Sequence, residues 1–225
     1  MSDYEKEINR FYNTGYTFFL NKTDANKVIN RLKKNTFNVY KPNNYSEKVI
    51  IYNKIPDIIL LEIEIKEIIR HQDILGSLMN LGIDDSLFGD IIVYNNKYYF
   101  YTFRYMLDYF NLEFRKIKHS YINLVLRDLD LLKEYEPDFI DIKVITKSLR
   151  IDSVIAKVIH TNREDVKKII KDKMVIYNDE ILKDYDKLLK IDDTFSVRKI
   201  GKFKFDKIIS NTKKDNLIIN IKKYN

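Results

Sequence analysis

The chain has 225 residues, enough for one large domain or two small ones that each bury a core. A hydrophobic content of 45% excludes wholesale disorder, and no apolar run reaches the roughly 18 residues of a membrane span. The absence of cysteine excludes disulfides, iron–sulfur clusters, thiolate zinc sites and cysteine nucleophiles, and with only three histidines no metal or cofactor is expected. The first residues lack a secretory signal pattern, so a cytoplasmic protein is expected.

The charged residues are unevenly distributed along the chain. Residues 1–145 carry 20 basic and 21 acidic side chains, whereas residues 146–225 carry 20 and 12, which together give the net charge of +7. The abundance of Lys, Asn, Ile and Tyr indicates an AT-rich codon bias, which would act evenly along the chain. The surplus in the last third therefore predicts a surface that binds a polyanion, with a merely solvated basic surface as the alternative.

Helical and strand patterns alternate over residues 1–128. The alternation of Leu61, Ile63 and Ile65 is typical of a strand, and Asn95-Asn96 is a turn that tolerates positive φ. This succession predicts an α+β sandwich of the ferredoxin or RNA-recognition type. In chain order the predicted elements are a helix from Thr23, strands at 47–54 and 57–68, a helix at 71–83, a hairpin at 89–103, a helix at 104–114 and a strand at 116–129.

Aromatic residues crowd the stretch YNNKYYFYTFRY, residues 94–105. Aromatic side chains on the sheet of an RNA-recognition domain stack on bases. The stretch lacks the Lys/Arg-Gly-Phe-Gly-Phe signature of that domain's reading strand. Base stacking and core packing therefore both stay open.

The pattern changes after the acidic stretch around Pro137, which predicts a linker over residues 129–141 between domains at 1–128 and 142–225. Two amphipathic helices follow. The N-cap of the second is either Thr161, paired with Glu164, or Asn162, paired with Asp165. The stretches MVIY, TFSVRKI and NLIINIKK predict strands. The second domain is thus expected to place two helices on a small sheet.

Several of these residues resemble the ribosomal-S4-type RNA-binding domain, and the match covers about residues 146–205. They are Arg150-Ile151-Asp152, Arg163 at the second helix, MVIYND and IDDTFSVRKIGKF. The resemblance implies an S4-like domain with the αL motif. Three glycines of the usual pattern are replaced, at Asp172 or Lys173, at Asp192 and at Lys199, so a different turn geometry is expected there.

The preceding region is similar to the bacterial YlmH family, in which an RNA-recognition-like domain precedes an S4-type domain. The similarity rests on RHQDILGSLMNLGIDDSLFGDIIV (residues 70–93), on FFLNKTDA and on NTKKDN, which resembles that family's closing Thr-Lys-Lys. It implies association with the large ribosomal subunit and binding of rRNA and tRNA in ribosome-associated quality control of stalled nascent chains. Gene neighbourhood has also suggested a link to cell division. The family's additional N-terminal helical segment is expected to be reduced to about ten residues.

Basic residues of the second domain are the candidate RNA-binding residues. Those on the second helix share a face opposite Val166, Ile169 and Ile170, with ion pairs to Glu164 and Asp165 as the alternative use of that face. The segment around Lys204 alternates basic residues with Phe203 and Phe205, as in a strand that packs on one side only. The candidates are Arg150, Asn162, Arg163, Lys167, Lys168, Lys171, Lys173, Arg198, Lys199, Lys202, Lys213 and Lys214.

No catalytic residue is predicted. Arg-Leu-Asp also occurs in pseudouridine synthases, where the aspartate attacks, but here Asp152 is expected to cap its helix or orient Arg150. His71 and Asp73 do not share a helix face and are expected to anchor their helix. Gly76, Gly82 and Gly89 indicate close backbone packing or close approach of a partner.

The expected protein is therefore a monomeric, non-enzymatic RNA-binding protein with no membrane partner and no small-molecule substrate. One alternative is an RNA-modifying enzyme of the pseudouridine synthase or methyltransferase type, which would need a catalytic pocket in residues 1–145. Another is a protein-interaction adaptor linked to cell division, whose binding would survive ribonuclease treatment.

Overall fold

The computed structural model describes residues 3–224, and its contacts divide the chain into two compact units, Met1–Glu136 and Pro137–Asn225. Over the described residues every sheet is antiparallel, which confirms the mixed α+β class. Within residues 3–224 no helix is both long and apolar enough to cross a bilayer.

The helices and strands occur in the following order. The helices of residues 3–224 are α1 (Asp3–Thr14), α2 (Lys22–Ile29), α3 (His71–Met79), α4 (Leu107–Glu113), α5 (Ile151–Val158) and α6 (Arg163–Lys171). Strands of the first unit are β1 (Leu20–Asn21), β2 (Asn38–Tyr40), β3 (Lys48–Tyr52), β4 (Ile58–Glu64), β5 (Phe88–Tyr94), β6 (Lys97–Phe103), β7 (Lys116–Ile117), β8 (Ser120–Tyr121) and β9 (Asn123–Arg127). Strands of the second unit are β10 (Phe139–Thr146), β11 (Val175–Tyr177), β12 (Glu180–Ile181), β13 (Thr194–Val197), β14 (Gly201–Asn211) and β15 (Leu217–Tyr224).

The first part of the first unit has its own small sheet, in the order β1-β3-β2, with α1 and α2 packed around Phe11, Val28 and Ile51. The sequence predicts β3 as a strand of the same sandwich as β4, and the structure corrects this prediction. The carbonyl of Gly15 accepts hydrogen bonds from the amides of Asn53 and Lys54, at 2.8 and 3.1 Å, which ends β3 and separates it from β4.

The second part of the first unit contains β4, α3, β5, β6, α4 and β9 in chain order and forms a four-stranded sheet in the order β5-β6-β4-β9. Strands β7 and β8 form a separate hairpin between α4 and β9. The predicted hairpin is confirmed, because Asn95 and Asn96 have φ of 51° and 58° and join β5 to β6. Phe100 of β6 packs edge-on against Phe110 and Phe114, which places α4 over one face of the sheet.

The other face of this sheet is covered as well. Phe103 lies 5.5 Å from Phe18 and 5.2 Å from Phe19 between ring centroids, and Tyr99 and Tyr101 are buried. These side chains occupy the face that an RNA-recognition domain uses for bases. The core-packing alternative is therefore confirmed for the aromatic residues of β6, because Phe18 and Phe19 pack on this face, whereas Tyr105 after the strand is exposed.

The second unit contains one six-stranded sheet in the order β10-β15-β14-β13-β11-β12. Residues of α5 and α6 form its core with the sheet, among them Ile155, Val166, Phe205 and Ile219. The sheet is larger than the small one that the sequence predicts. The unpredicted strand β10 pairs with β15 along all eight of its residues, from Phe139 to Thr146.

The boundary between the units, at Glu136 and Pro137, falls inside the segment predicted as a linker. On one side of the boundary, Leu132 is buried in the core of the first unit. On the other side, β10 begins at Phe139. A linker over residues 129–141 and domains at 1–128 and 142–225 stay predictions.

Candidate nucleic-acid interface

Helix α6 begins at a well-defined cap. The side-chain oxygen of Asn162 accepts the backbone N–H of Asp165 at 2.8 Å, and the Asn162 amide donates to the Asp165 carboxylate at 2.6 Å. Of the two caps that the sequence allows, the structure thus contains the Asn162–Asp165 pair. The cap fixes where Arg163, the first helical residue, leaves the backbone.

A buried carboxylate lies between the first residues of α5 and α6. The side chain of Asp152 has no exposed area, and one of its oxygens accepts a hydrogen bond from Arg163 at 2.7 Å. Arg150 donates from Nε and Nη2 to the two carboxylate oxygens, both at 3.3 Å. The side chains of Arg150 and Arg163 remain 32% and 48% exposed, so both guanidinium groups reach solvent while Asp152 holds them in place.

The ionisation of Asp152 follows from these contacts. Burial alone would raise the pKa of its carboxyl, but hydrogen bonds from Arg150 and Arg163 outweigh burial and lower the pKa below its ordinary value. A lowered pKa means that the ion pairs are intact at neutral pH and are lost only as the pH falls through the pKa of the folded state. The arrangement of the two arginines is therefore constant across the physiological pH range.

Tyr185 completes this cluster and was not among the candidates from the sequence. Its ring centroid lies 5.9 Å from the guanidinium carbon of Arg150 and 5.3 Å from Nζ of Lys167. The carbonyl of Tyr185 accepts the amide of Asp152, which fixes the segment against the start of α5. Nothing in the local pattern around Tyr185 indicates this contact, because the segment is neither helical nor a strand.

The lysines of α6 make the intrahelical pairs that were the alternative use of their face. Lys167 pairs with Glu164 at 2.8 Å and Lys168 pairs with Asp165 at 3.2 Å. Exposed pairs of this type contribute only about 0.3–0.5 kcal/mol. They therefore leave Lys167 and Lys168 able to exchange a carboxylate partner for a phosphate.

A second basic group lies where α6 ends. The amides of Lys173 and Met174 donate to the carbonyls of Ile170 and Ile169, at 2.9 and 3.0 Å, which is the hydrogen-bond pattern of a Schellman cap. The amide of Arg198 donates to the carbonyl of Met174 at 2.9 Å, so the turn between β13 and β14 adjoins this cap. Lys171, Lys173, Arg198 and Lys199 are exposed around this end of α6.

The three positions where glycine is replaced keep a glycine-like backbone. Lys173, Asp192 and Lys199 have φ of 57°, 71° and 69°. The expectation of a different turn geometry is therefore wrong for the backbone at these positions. Neighbouring hydrogen bonds hold the turns, so the non-glycine residues carry the steric cost of the left-handed region.

The remaining candidates are separate from these two groups. Lys202 faces the Tyr224 ring, with Nζ 5.2 Å from its centroid. The neighbouring Lys204, which is not one of the candidates, pairs with Asp192 at 2.8 Å. Lys213 and Lys214 are exposed in the turn between β14 and β15, at the end of the sheet where Thr146 pairs with Leu217. Direct contacts thus join Arg150, Arg163 and Lys167 and leave the others in smaller groups.

Asp73 anchors the start of α3 as expected, and His71 is the first residue of that helix. The Asp73 carboxylate accepts the backbone N–H of Arg70 at 3.1 Å, and it pairs with Arg70 and Lys118 at 3.1 and 2.8 Å. Hydrogen bonds from these two cations hold the pKa of Asp73 well below its usual range. Among residues 3–224 there is no group of three or more His, Cys, Asp or Glu side chains that could hold a metal ion.

Comparison with known proteins matches residues 57–130 to a family described as "Putative RNA-binding domain in YlmH". A curated relative, "Ribosome-associated protein quality control protein P2" of Bacillus subtilis (strain 168), is 26% identical over 148 residues. The alignment covers 65% of this chain and 57% of that protein, so the chain spans little more than half of its relative's length. Residues 57–130 are therefore similar to the RNA-binding domain of the YlmH family.

A solved structure described as "Cell division protein ylmH from Streptococcus pneumoniae" is 23% identical. It has a TM-score of 0.44 and covers 56% of this chain and 87% of that one. The matched YlmH domain corresponds to the four-stranded sheet with α3 and α4, from β4 to the residues after β9.

Proposed function

We propose that this protein binds RNA and performs no chemistry on it. Its ligands are rRNA of the large ribosomal subunit and tRNA, and its role is in quality control of stalled nascent chains. The name of the Bacillus subtilis relative states ribosome association and a role in quality control, and the match to an RNA-binding domain supports the binding of RNA. The large-subunit rRNA and tRNA ligands extend the resemblance seen in the sequence.

The observation that carries the proposal is the arginine pair held by Asp152. A guanidinium group binds phosphate oxygens with two parallel hydrogen bonds, and a fixed position lowers the entropy lost on binding. Asp152 accepts hydrogen bonds from only some of the N–H groups of Arg150 and Arg163, and both side chains remain partly exposed. Lys167 and the Tyr185 ring extend the same surface and suit a ribose–phosphate backbone with an unstacked base.

The folds of the two units are part of the proposal. The βαββαβ order of β4 to β9, with strand order β5-β6-β4-β9, supports a ferredoxin-like or RNA-recognition-like domain. The two short helices α5 and α6 on the six-stranded sheet support an S4-like domain with the αL motif. Domains at 1–128 and 142–225 joined by residues 129–141 complete the proposed organisation.

The environment of Asp152 argues against its use as a nucleophile. Its oxygens accept hydrogen bonds from Arg150, from Arg163 and from the amide of Ser153, the last at 2.7 Å. A carboxylate with no exposed area and these donors around it cannot approach a uridine without breaking the junction of α5 and α6. The position of Asp152 therefore supports a role in orienting the two arginines rather than a role as the nucleophile of a pseudouridine synthase.

Co-sedimentation with separated ribosomal subunits tests the proposal. We expect the full-length protein to sediment with the large subunit at low salt and to dissociate at moderate salt, because phosphate contacts release counterions. The Arg163→Glu/Lys167→Glu variant should lose this binding. A matched control is Lys33→Glu/Lys34→Glu, which makes the same change in charge at exposed positions of the first unit.

Four results would contradict parts of the proposal. Binding of the α6 variant equal to wild type would overturn the site, and an equal loss in the control would show a dependence on net charge alone. Absence of wild-type binding to either subunit would overturn the ribosomal function. Partner binding that resists ribonuclease would favour the adaptor alternative.

A further inference from the structure

The basic residues of the YlmH-type domain are concentrated in one short segment. Residues 57–130 carry eight basic and twelve acidic side chains, so this domain as a whole has a charge that repels RNA. Residues 114–127 are the exception, since they contain Arg115, Lys116, Lys118 and Arg127 and no acidic residue. An RNA contact made by this domain is therefore most favourable along this segment.

The segment forms a small hairpin with an exposed aromatic ring. Lys116 of β7 pairs directly with Tyr121 of β8, and Nζ of Lys116 lies 4.1 Å from the centroid of the Tyr121 ring. The side chain of Tyr121 is 74% exposed, in contrast to the buried tyrosines of β6. An exposed ring beside a lysine has the composition of a site that stacks a base and neutralises its phosphate.

A shallow groove runs between this hairpin and α3. Gln72, Gly76, Ser77 and Asn80 line it from the helix, and Lys116 and Lys118 line it from the hairpin. A Cβ added at Gly76 would meet nothing within 4 Å, so no packing within the described chain requires a glycine there. Glycine inside a helix costs about 1 kcal/mol relative to alanine, and here it leaves the groove open for a ligand.

We propose that the β7–β8 hairpin and the groove beside α3 bind a single-stranded RNA segment. Tyr121 stacks on a base, Lys116 and Lys118 contact phosphates, and the groove beside Gly76 takes the sugar–phosphate chain. This inference rests on the proposed RNA-binding function and gives the first unit a site of its own, away from the covered sheet face.

The charges favour RNA over an acidic protein segment. The main acidic group at the groove is Asp73, and its carboxylate is 8% exposed and paired with Arg70 and Lys118. Polar groups such as Gln72, Ser77 and Asn80 offer donors and acceptors to ribose hydroxyls and base edges. An apolar docking peptide would find few partners in this lining.

The test measures binding of the full-length protein to a short fluorescein-labelled oligouridylate by anisotropy at low salt. We expect Tyr121→Ala to weaken binding at least about fivefold and Tyr121→Phe to bind within about twofold of wild type, because the phenyl ring keeps the stacking surface. Lys116→Glu should also weaken binding, and the ratio of wild-type to variant affinity should increase as the salt concentration is lowered. Tyr12→Ala, at an exposed tyrosine of α1, and Lys34→Glu serve as matched controls and should bind like wild type.

The outcomes separate this site from the proposed function. Wild-type affinity in both Tyr121→Ala and Lys116→Glu overturns the hairpin site, while loss in Arg163→Glu/Lys167→Glu would keep the RNA-binding function. No binding by the wild-type protein overturns both. Photo-cross-linking of 4-thiouridine RNA to the peptide containing residues 116–121 would support the site independently of the variants, and cross-links confined to the second unit would contradict it.

Discussion

At the scale of single residues, an acidic side chain organises the basic surface of the second unit. Asp152 carries the opposite charge to its surroundings, yet it fixes Arg150 and Arg163 from a position with no solvent access. The sequence leaves open whether Asp152 caps its helix or orients Arg150, and the structure contains the contact with Arg150. Arg163 lies eleven residues after Asp152 in the sequence, and its contact with Asp152 depends on how α5 packs against α6. No local sequence pattern could therefore indicate this contact.

Replacing Asp152 separates geometry from net charge. Asp152→Asn makes the protein more basic, so a surface that acts through total charge should bind RNA more tightly. We expect weaker binding, by about five- to tenfold, because the neutral amide no longer holds two guanidiniums, and unfolding should become easier by about 1–3 kcal/mol. Anisotropy with RNA and urea denaturation of both proteins provide the measurements, and tighter binding by the variant would contradict the orienting role.

The pH dependence of RNA binding follows from the same residue. Because the pKa of Asp152 is lowered in the folded state, the ion pairs are present above the ordinary aspartate pKa and are lost only at more acidic pH. The contribution of Arg150 and Arg163 to affinity should therefore be constant between about pH 5.5 and 8. We expect the ratio of wild-type to Asp152→Asn affinity to be the same across this range, and a ratio that approaches one at pH 5.5 would show that the pairs titrate there.

At the scale of elements, helix α6 is the best predicted part of the site, and its end has a residue that strains the backbone. The apolar positions Val166 and Ile170 are buried as the periodicity predicts, and the cap at Asn162 is one of the two that the sequence allows. Lys173 occupies the left-handed position after the helix that glycine usually takes.

Glycine at this position should stabilise the second unit. We expect Lys173→Gly to increase the free energy of unfolding by about 1 kcal/mol, because glycine adopts positive φ without steric cost. The variant should also bind RNA slightly less tightly, since it lacks one cation near phosphate. Asp172→Gly is the matched control for chemical denaturation, because Asp172 has φ of −78° and gains nothing from glycine; equal effects of both changes would contradict the explanation.

Strands were harder to predict than helices, for reasons of tertiary pairing. Strand β10 follows Pro137 and a cluster of acidic residues, so its start resembles a linker in the sequence. It becomes a strand because β15, far along the chain, pairs with it. All residues of strand β4 except Glu64 are buried, so both of its faces are covered. The alternation of Leu61, Ile63 and Ile65 indicates a strand with only one buried face. Glu62 is buried within it because Lys97 and Arg127 pair with its carboxylate.

At the scale of the whole molecule, each unit has its own candidate surface for RNA. In the second unit the surface follows from a charge surplus that is visible in the sequence. In the first unit the sheet face expected of an RNA-recognition domain is covered by its own N-terminal residues, and this could not be predicted because the covering segment has no pattern that links it to β6. The basic hairpin at Tyr121 is the alternative that the structure offers.

The salt dependence of RNA affinity tests the central claim most directly. For about six phosphate contacts at roughly −0.7 each, the logarithm of the affinity should fall with the logarithm of salt concentration with a slope of about −4. The Arg163→Gln/Lys167→Gln variant, which lacks two of these cations, should have a slope less steep by about 1.4. A wild-type slope near zero, or an unchanged slope in the variant, would contradict binding of RNA phosphates by helix α6.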